Sequence, residues 1–199
     1  MKRCVAVFDF DGTLTRRDTL PQFIRFACGT WRMCAGFLLF SPLLVLMKLS
    51  LYPKWKAKER LFSFFFRGME YGRFAELGRR FADVVDGFTR ADVVSRLQRY
   101  VADGAKVYVV SASIDEWVRP WCERQGVSGV LSTKIEVGSN GLLTGRLLSK
   151  NCYGQEKVNQ LMEVEPERNE YTLHAYGDSR GDKEMIDFAD KGTYVQNSE

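Results

Sequence analysis

Asp9 and Asp11 stand one residue apart at the end of the apolar run Val5-Ala-Val-Phe8, and Gly12 and Thr13 follow them. Carboxylates at the end of a buried strand are costly unless a cation compensates them, and a divalent metal is the usual partner. Two more apolar runs end in polar chemistry: Lys106 to Val110 in Ser111-Ala112-Ser113, and Tyr171 to Tyr176 in Gly177-Asp178-Ser-Arg-Gly-Asp182. Lys157 lies at a helix start, just after Gly154. These residue types fit phosphoryl transfer. Asp9 is the expected nucleophile, because a carboxylate can take a phosphoryl group covalently. Asp11 is the expected general acid to the leaving oxygen, then the general base to the hydrolytic water. Mg²⁺ prefers hard oxygens, so Asp9, Asp178 and the backbone carbonyl of Asp11 form a plausible partial shell. Asp182 could hold a metal-bound water or orient Lys157. Ser111, Ala112 beside it, and Lys157 are the expected phosphate contacts, placed to stabilise transition-state charge. Thr13 can supply a donor, and Gly12 lets the backbone come close to the phosphate.

These groups are distant in sequence, so elements must bring them together. Runs such as Val5–Phe8 are apolar without alternation, as parallel strands covered on both faces are. A helix is expected from Thr89, as cap, to about Val101, then a strand from Lys106 to Val110. Asp115 to Gln125 should be helical, with a kink or break at Pro120. Val130 to Val137 and Leu142 to Leu147 read as a strand pair turning at Asn140-Gly141. A helix from Gly154 to about Met162, a strand from Tyr171, a helix to Ala189 and a strand at Thr193–Val195 complete the pattern. Strands alternating with helices imply an α/β fold with a parallel sheet, in which ligands bind beyond the carboxyl ends of the strands. His174, the only histidine, falls inside an apolar strand and reads as a buried or sheet-face residue.

The region 16–88 differs. It is rich in aromatic, leucine and basic residues and lacks strand-like alternation, so it reads as an all-helical insertion. The α/β core is then 1–15 with 89–199. The segment Ala35 to Met47 is the most apolar of the chain and precedes the basic Lys54-Trp-Lys-Ala-Lys-Glu-Arg60. A spanning helix needs ~20 apolar residues; this run is shorter and contains Pro42. The favoured reading is core of the insertion, packed on Phe62, Phe64, Phe65 and Phe66. The competing reading is a peripheral contact with anionic membrane through Lys54, Lys56, Lys58 and Arg60.

With 199 residues, the chain suits one core carrying an insertion. A net charge of +4 is only mildly basic, and no nucleic-acid-binding motif accompanies it, so no nucleic-acid partner is expected. The five cysteines (Cys4, Cys28, Cys34, Cys122, Cys152) are scattered and contain no CxxC pair. They read as reduced thiols in a cytoplasmic protein. Lys2 and Arg3 precede only a short apolar run that ends in acid, which is not a signal-peptide pattern.

The four motifs Asp9-Phe-Asp-Gly-Thr13, Ser111, Lys157 and Gly177-Asp178-Ser-Arg-Gly-Asp182 resemble, in order and spacing, those of the haloacid dehalogenase superfamily of phosphohydrolases. The resemblance implies a Rossmann-like core, Mg²⁺ dependence, a phosphomonoester substrate and the roles above. An insertion directly after the first motif is similar to the helical cap of the phosphoserine-phosphatase-like branch, where it covers the site and selects substrate. Phosphoserine phosphatases typically carry serine at the position of Gly12, glutamate near Asp18, and Ser-Gly-Gly where Ser111-Ala112-Ser113 stands. These departures point away from phosphoserine. The apolar segment with its basic flank, and the Gly154-Gln-Glu-Lys-Val158 helix start, look more like the phosphatidylglycerophosphate phosphatases of the C type. A rival of another class is a receiver-like signalling domain that stores an aspartyl phosphate. Asp11, a built-in base, and the insertion, a substrate pocket, argue against it.

Overall fold

A computed structural model describes residues 2–148 and 151–195. Its strands are β1 (Arg3–Phe8), β2 (Lys106–Ile114), β3 (Gly129–Thr133), β4 (Ile135–Val137), β5 (Leu143–Leu147), β6 (Tyr171–Gly177) and β7 (Lys191–Tyr194). Five of them form a parallel sheet in the order β3-β2-β1-β6-β7, with β1 in the middle. The order reverses at β1. The chain steps outward through β2 and β3, then returns to the other side for β6 and β7. That reversal opens a crevice beyond the carboxyl ends of β1 and β6, where ligands bind in sheets of this kind. Asp9 follows β1 directly, and Asp178 follows β6.

The alternation of β1 explains the two cores. Ala6 and Phe8 face one layer with Val107 and Val109 of β2. Val5 and Val7 face the other, with Val110, Leu173, Ala175, Val158 and Leu161. Each side chain on a strand points opposite to its neighbour, so a strand buried on both faces must be apolar throughout.

Between β1 and β2 lie six helices: α1 (Thr19–Cys28), α2 (Thr30–Leu39), α3 (Ser41–Lys48), α4 (Lys54–Phe66), α5 (Tyr71–Asp86) and α6 (Ala91–Ala102). The first five belong to the segment read as an insertion. Their aromatic interior centres on Phe23. Its ring lies 5.5 Å from Phe66, 5.4 Å from Phe74 and 5.2 Å from Phe81, and stacks at 4.5 Å on Trp117. Trp117 belongs to α7 (Asp115–Arg124), directly after β2. The inserted helices are thus cemented to the helix that follows the second motif. The chain leaves and re-enters the core through a short two-stranded link, in which Arg16 N–H donates to Phe88 O at 2.8 Å and Arg90 N–H to Leu14 O at 2.8 Å. The last helices are α8 (Gln155–Val164) and α9 (Lys183–Phe188).

Several local expectations are corrected. The segment 130–137 is not one strand. Its first half joins the parallel sheet as β3, and only β4 pairs with β5. The β5 end of this hairpin bonds instead to the link after α4, with Gly68 N–H on Leu143 O at 2.8 Å. Thr89 does not cap α6; Arg90 precedes its first residue, and the Thr89 hydroxyl turns back to Asp86 O at 3.3 Å. β2 runs past Val110 to Ile114 with a register shift between Ser111 and Ile114, an irregularity of the kind that re-aims side chains beside active sites.

The apolar segment is not the core of the insertion. Only Gly36 is buried in α2, and no residue in α3. Met33, Phe37, Phe40 and Leu44 pack inward, but Leu38 is 76% exposed and Leu51 71%. The two helices meet at a 64° bend and lie on the outside of α4. Apolar residues run all round them, and a helix laid on one neighbour can bury only a stripe.

α7 is unbroken through Pro120. Proline has no N–H, so the Glu116 carbonyl loses its partner four residues on. That carbonyl faces α5: a Cβ placed on Gly78 would lie 2.0 Å from it. Gly78 therefore sets how closely the insertion approaches α7. In an open helix Gly→Ala gains about 1 kcal/mol. Here Gly78→Ala should instead cost about 1–3 kcal/mol through overpacking, read as a lower midpoint in urea denaturation.

Candidate active site

Lys157 is the best-buried cation of the site, with 2% of its surface exposed. Its ammonium donates to Asp9 Oδ1 at 2.5 Å, to Asp182 Oδ1 at 2.5 Å and to the Val110 carbonyl at 3.0 Å. Three sequence-distant motifs and the backbone of β2 thus meet on one nitrogen. Gly154 prepares it: its N–H bonds to Gly181 O at 2.9 Å, and its carbonyl receives Lys157 N–H at 3.0 Å. Burial pushes the Asp9 carboxyl up to about 8; Lys157 opposes this and Asp182 adds to it. Burial works against the Lys157 ammonium, but Asp9 and Asp182 outweigh it and hold it above its usual range.

Asp182 is a brace. Its second oxygen, Oδ2, accepts from the N–H groups of Asp178 at 3.2 Å and Ser179 at 3.0 Å and from Ser179 Oγ at 2.9 Å. The turn that presents Asp178 is therefore tied to Lys157 through one carboxylate. Thr13 lies between the first and last motifs, donating to Asp178 Oδ1 at 3.2 Å and to Asp9 Oδ2 at 3.4 Å. Gly12 has φ +81°, and a Cβ there would stand 2.2 Å from Asp178 Oδ2. A side chain at position 12 would displace Asp178.

Asp11 is held from another side. Thr19 N–H, at the start of α1, donates to its Oδ1 at 2.8 Å, and the Ser113 hydroxyl donates to its Oδ2. Behind Ser113 stands the Thr19 hydroxyl at 3.1 Å, which accepts from Trp117 Nε1 at 3.1 Å. The side chain of Asp11 is thus fixed by the first inserted helix. Ser111 Oγ accepts Ser113 N–H at 3.0 Å, which leaves its own proton for a ligand. The carbonyl of Ala112 is taken by Lys58 Nζ and, at 2.8 Å, by Thr133 Oγ1. Any contact of Ala112 with a ligand therefore falls to its N–H.

Asp9, Asp11, Ser111, Ala112, Lys157, Asp178 and Asp182 all line one cavity of about 190 Å³, together with Asp18 and Tyr153. Thr13 and Gly12 support it from the side. His174 bonds to the Tyr100 hydroxyl and takes no part in the lining. Four contributors were not read from the sequence. Ser113 and Thr19 orient Asp11, Lys58 reaches Ala112 from α4, and the Arg90 guanidinium donates from Nε to the Gly12 carbonyl at 2.9 Å. Ser113 carried a signal, a second hydroxyl two residues after Ser111. Thr19 and Lys58 depend on where the inserted helices lie, and Arg90 on where the chain re-enters the core.

The donor set fits a hard divalent cation. Carboxylate oxygens of Asp9, Asp178 and Asp182 lie within 4.8 Å of one another. Three carboxylates face one ammonium, which leaves uncompensated negative charge at a half-buried place. Burial, then Asp182, raises the Asp178 carboxyl as well.

A model of the haloacid dehalogenase-like hydrolase family matches residues 6–187. The chain belongs to that family. It is thus a hydrolase, and the receiver-like reading falls. Protein CicA of Caulobacter vibrioides is 32% identical over 191 residues, covering 96% of this chain and 85% of that one. A protein of unknown function from Bordetella pertussis Tohama I has the same fold, with TM-score 0.82 at 19% identity over 95% of this chain and 88% of its own. A substrate-bound phosphoserine phosphatase superposes with TM-score 0.63 at 18% identity, over 95% and 84%. Both likenesses are of fold.

In this hydrolase the family's α/β part does not supply every cation of the site. Burial lowers the Lys58 ammonium to about 8, while Asp11 opposes the shift. A base depressed in the folded state destabilises while it must carry its charge. Stability should therefore rise as pH increases from about 8 toward the unfolded value of 10.5 and be lost as pH falls through 8. Lys58→Met should abolish that rise, worth no more than about 3 kcal/mol. Denaturant melts of both proteins at pH 7.5 and pH 10 measure the difference.

Proposed function

We propose that the chain hydrolyses phosphomonoesters through an aspartyl phosphate on Asp9. The observation that carries this is the buried Lys157 ammonium, 2.5 Å from Asp9 and 2.5 Å from Asp182, at the wall of a cavity of about 190 Å³. That volume is below the range usual for a whole ligand and suits a phosphate group with its counter-ion. An oxygen of Asp9 forms a bond to phosphorus as the ester P–O bond breaks, and Asp11 gives its proton to the departing alkoxide. Asp11 then takes a proton from water, whose oxygen attacks phosphorus. The bond to Asp9 breaks, releasing inorganic phosphate and the free carboxylate. Lys157, Ser111 and the Ala112 N–H receive the non-bridging oxygens, with Thr13 beside them. Asp182 positions Lys157, and Gly12 leaves room for Asp178. Mg²⁺ held by Asp9, Asp178 and the Asp11 carbonyl would neutralise phosphate charge. Domain boundaries follow: 1–15 and 89–199 carry the chemistry, and 16–88 is the cap. The substrate range is a lipid-linked phosphate such as phosphatidylglycerophosphate or a small phosphomonoester. A cytoplasmic setting accords with five cysteines that are all free thiols.

Asp9→Asn should lower phosphate release roughly a thousandfold or more with an unchanged circular dichroism spectrum. Rapid-quench mass spectrometry of the wild type should find phosphate on the Asp9 peptide. Turnover retained in Asp9→Asn would refute the assignment.

The same reading includes peripheral membrane contact through the cap. Among the described residues no single helix is long and apolar enough to cross a membrane, while α2 and α3 together are apolar enough but bent. What supports contact is the outer face of that bend. Trp31 is 85% exposed, Leu38, Leu39, Val45 and Leu49 are exposed beside it, and the exposed Lys48, Lys56 and Arg60 lie close in sequence. Apolar residues can enter the interface while each basic residue near an anionic surface adds about 1 kcal/mol. The protein should pellet with phosphatidylglycerol-containing vesicles at low salt and be released by salt. Leu38→Glu with Val45→Glu should abolish pelleting, and no pelleting of the wild type at low salt sinks the idea.

A further inference from the structure

A second, larger cavity adjoins the catalytic one and has no role in the steps above. It measures about 760 Å³ and lies between the start of α4 and the segment around β5 and α8. Its apolar walls are Pro53, Trp55, Leu147, Leu148 and Tyr153. Tyr153 lines both cavities. Its ring packs on the turn of the last motif, where a Cβ on Gly181 would come within 2.4 Å of it. A second link runs through Thr133, whose hydroxyl lies 2.8 Å from Ala112 O in the inner cavity and 3.4 Å from Asn151 Oδ1 in the outer one. Tyr153 is therefore a wall common to the two cavities.

The polar side chains around this space already have partners in the protein. Glu59 Oε2 accepts Leu147 N–H at 2.9 Å, and Glu156 Oε2 accepts from Asn159 at 3.3 Å. Asn151 Oδ1 faces the Thr133 hydroxyl, and the Lys54 ammonium rests 5.6 Å from the centre of the Tyr153 ring. A polyhydroxylated or zwitterionic alcohol would compete with these pairs for the same side chains. An apolar one would only displace water from Trp55, Leu147 and Leu148.

We infer that the outer cavity receives the alcohol portion of the substrate and that this portion is an extended apolar group. The inference rests on the phosphohydrolase reading, which places the phosphate in the inner cavity. An ester that fills both cavities has its phosphorus beside Asp9 and its hydrocarbon against Trp55, so this chain selects amphiphilic phosphomonoesters by the hydrocarbon.

Alkylphosphonates, which cannot be hydrolysed, test this without turnover. Calorimetric titration of the full chain with methyl- to octylphosphonate, all below their aggregation limits and without vesicles, should show affinity rising roughly two- to fourfold per methylene until the cavity is filled. Trp55→Ala should flatten the rise, and so should Leu148→Ser, a change at an exposed residue that the fold tolerates. Equal affinity along the series, or a rise that survives both substitutions, overturns the inference while the phosphate site stands. Failure of methylphosphonate itself to bind overturns the phosphate site, and the inference with it. Because the ligands are monomeric, a positive result assigns the apolar recognition to the cavity and not to a bilayer.

Discussion

A single ammonium holds this structure's chemistry together. Lys157 is buried, and a charge without water needs partners at hydrogen-bond distance. It finds them in Asp9 at the end of β1, Asp182 after β6 and the carbonyl of Val110 in β2. Three neighbouring strands of the sheet must therefore reach that nitrogen at one level. Removing the ammonium would leave two buried carboxylates without their cation, which is far costlier than losing an exposed ion pair. The same nitrogen that would stabilise a transferring phosphoryl group thus also fixes the register of the crevice.

Negative charge exceeds positive charge around that nitrogen, and the surplus defines what the site can accept. Asp9, Asp178 and Asp182 gather within 4.8 Å, and burial raises both Asp9 and Asp178. A divalent cation held by these carboxylates would relieve this. Asp11 has other partners, its oxygens being committed to Thr19 and Ser113. Two carboxylates one residue apart are thus given different surroundings.

The inserted helices are more than a cover. α1 supplies the N–H that holds Asp11, α4 supplies the Lys58 contact to Ala112, and Arg90, on re-entry, supports the Gly12 carbonyl. Their aromatic interior is continuous with the α/β core through Phe23 and Trp117. Their outer side is different: α2 and α3 show apolar side chains to solvent. One segment thus turns one face to the site and leaves apolar residues of the other uncovered.

Asp9, Asp11, Ser111, Ala112, Lys157, Asp178 and Asp182 were legible in the sequence. Each sits at the end of an apolar run or at a glycine-marked turn, and strand periodicity is a local property. For the same reason the parallel α/β core could be read directly. Tertiary structure decided the rest, because packing against distant residues overrides local preference. The proline leaves α7 unbroken, and Gly78 of another helix packs against the freed carbonyl. The stretch 130–137 divides because the parallel sheet takes its first half and leaves the rest to β5. The apolar run from Ala35 to Met47 stays largely outside, although composition favoured the interior. Composition states how much apolar surface a helix has, and only the neighbours that fold against it determine how much is covered.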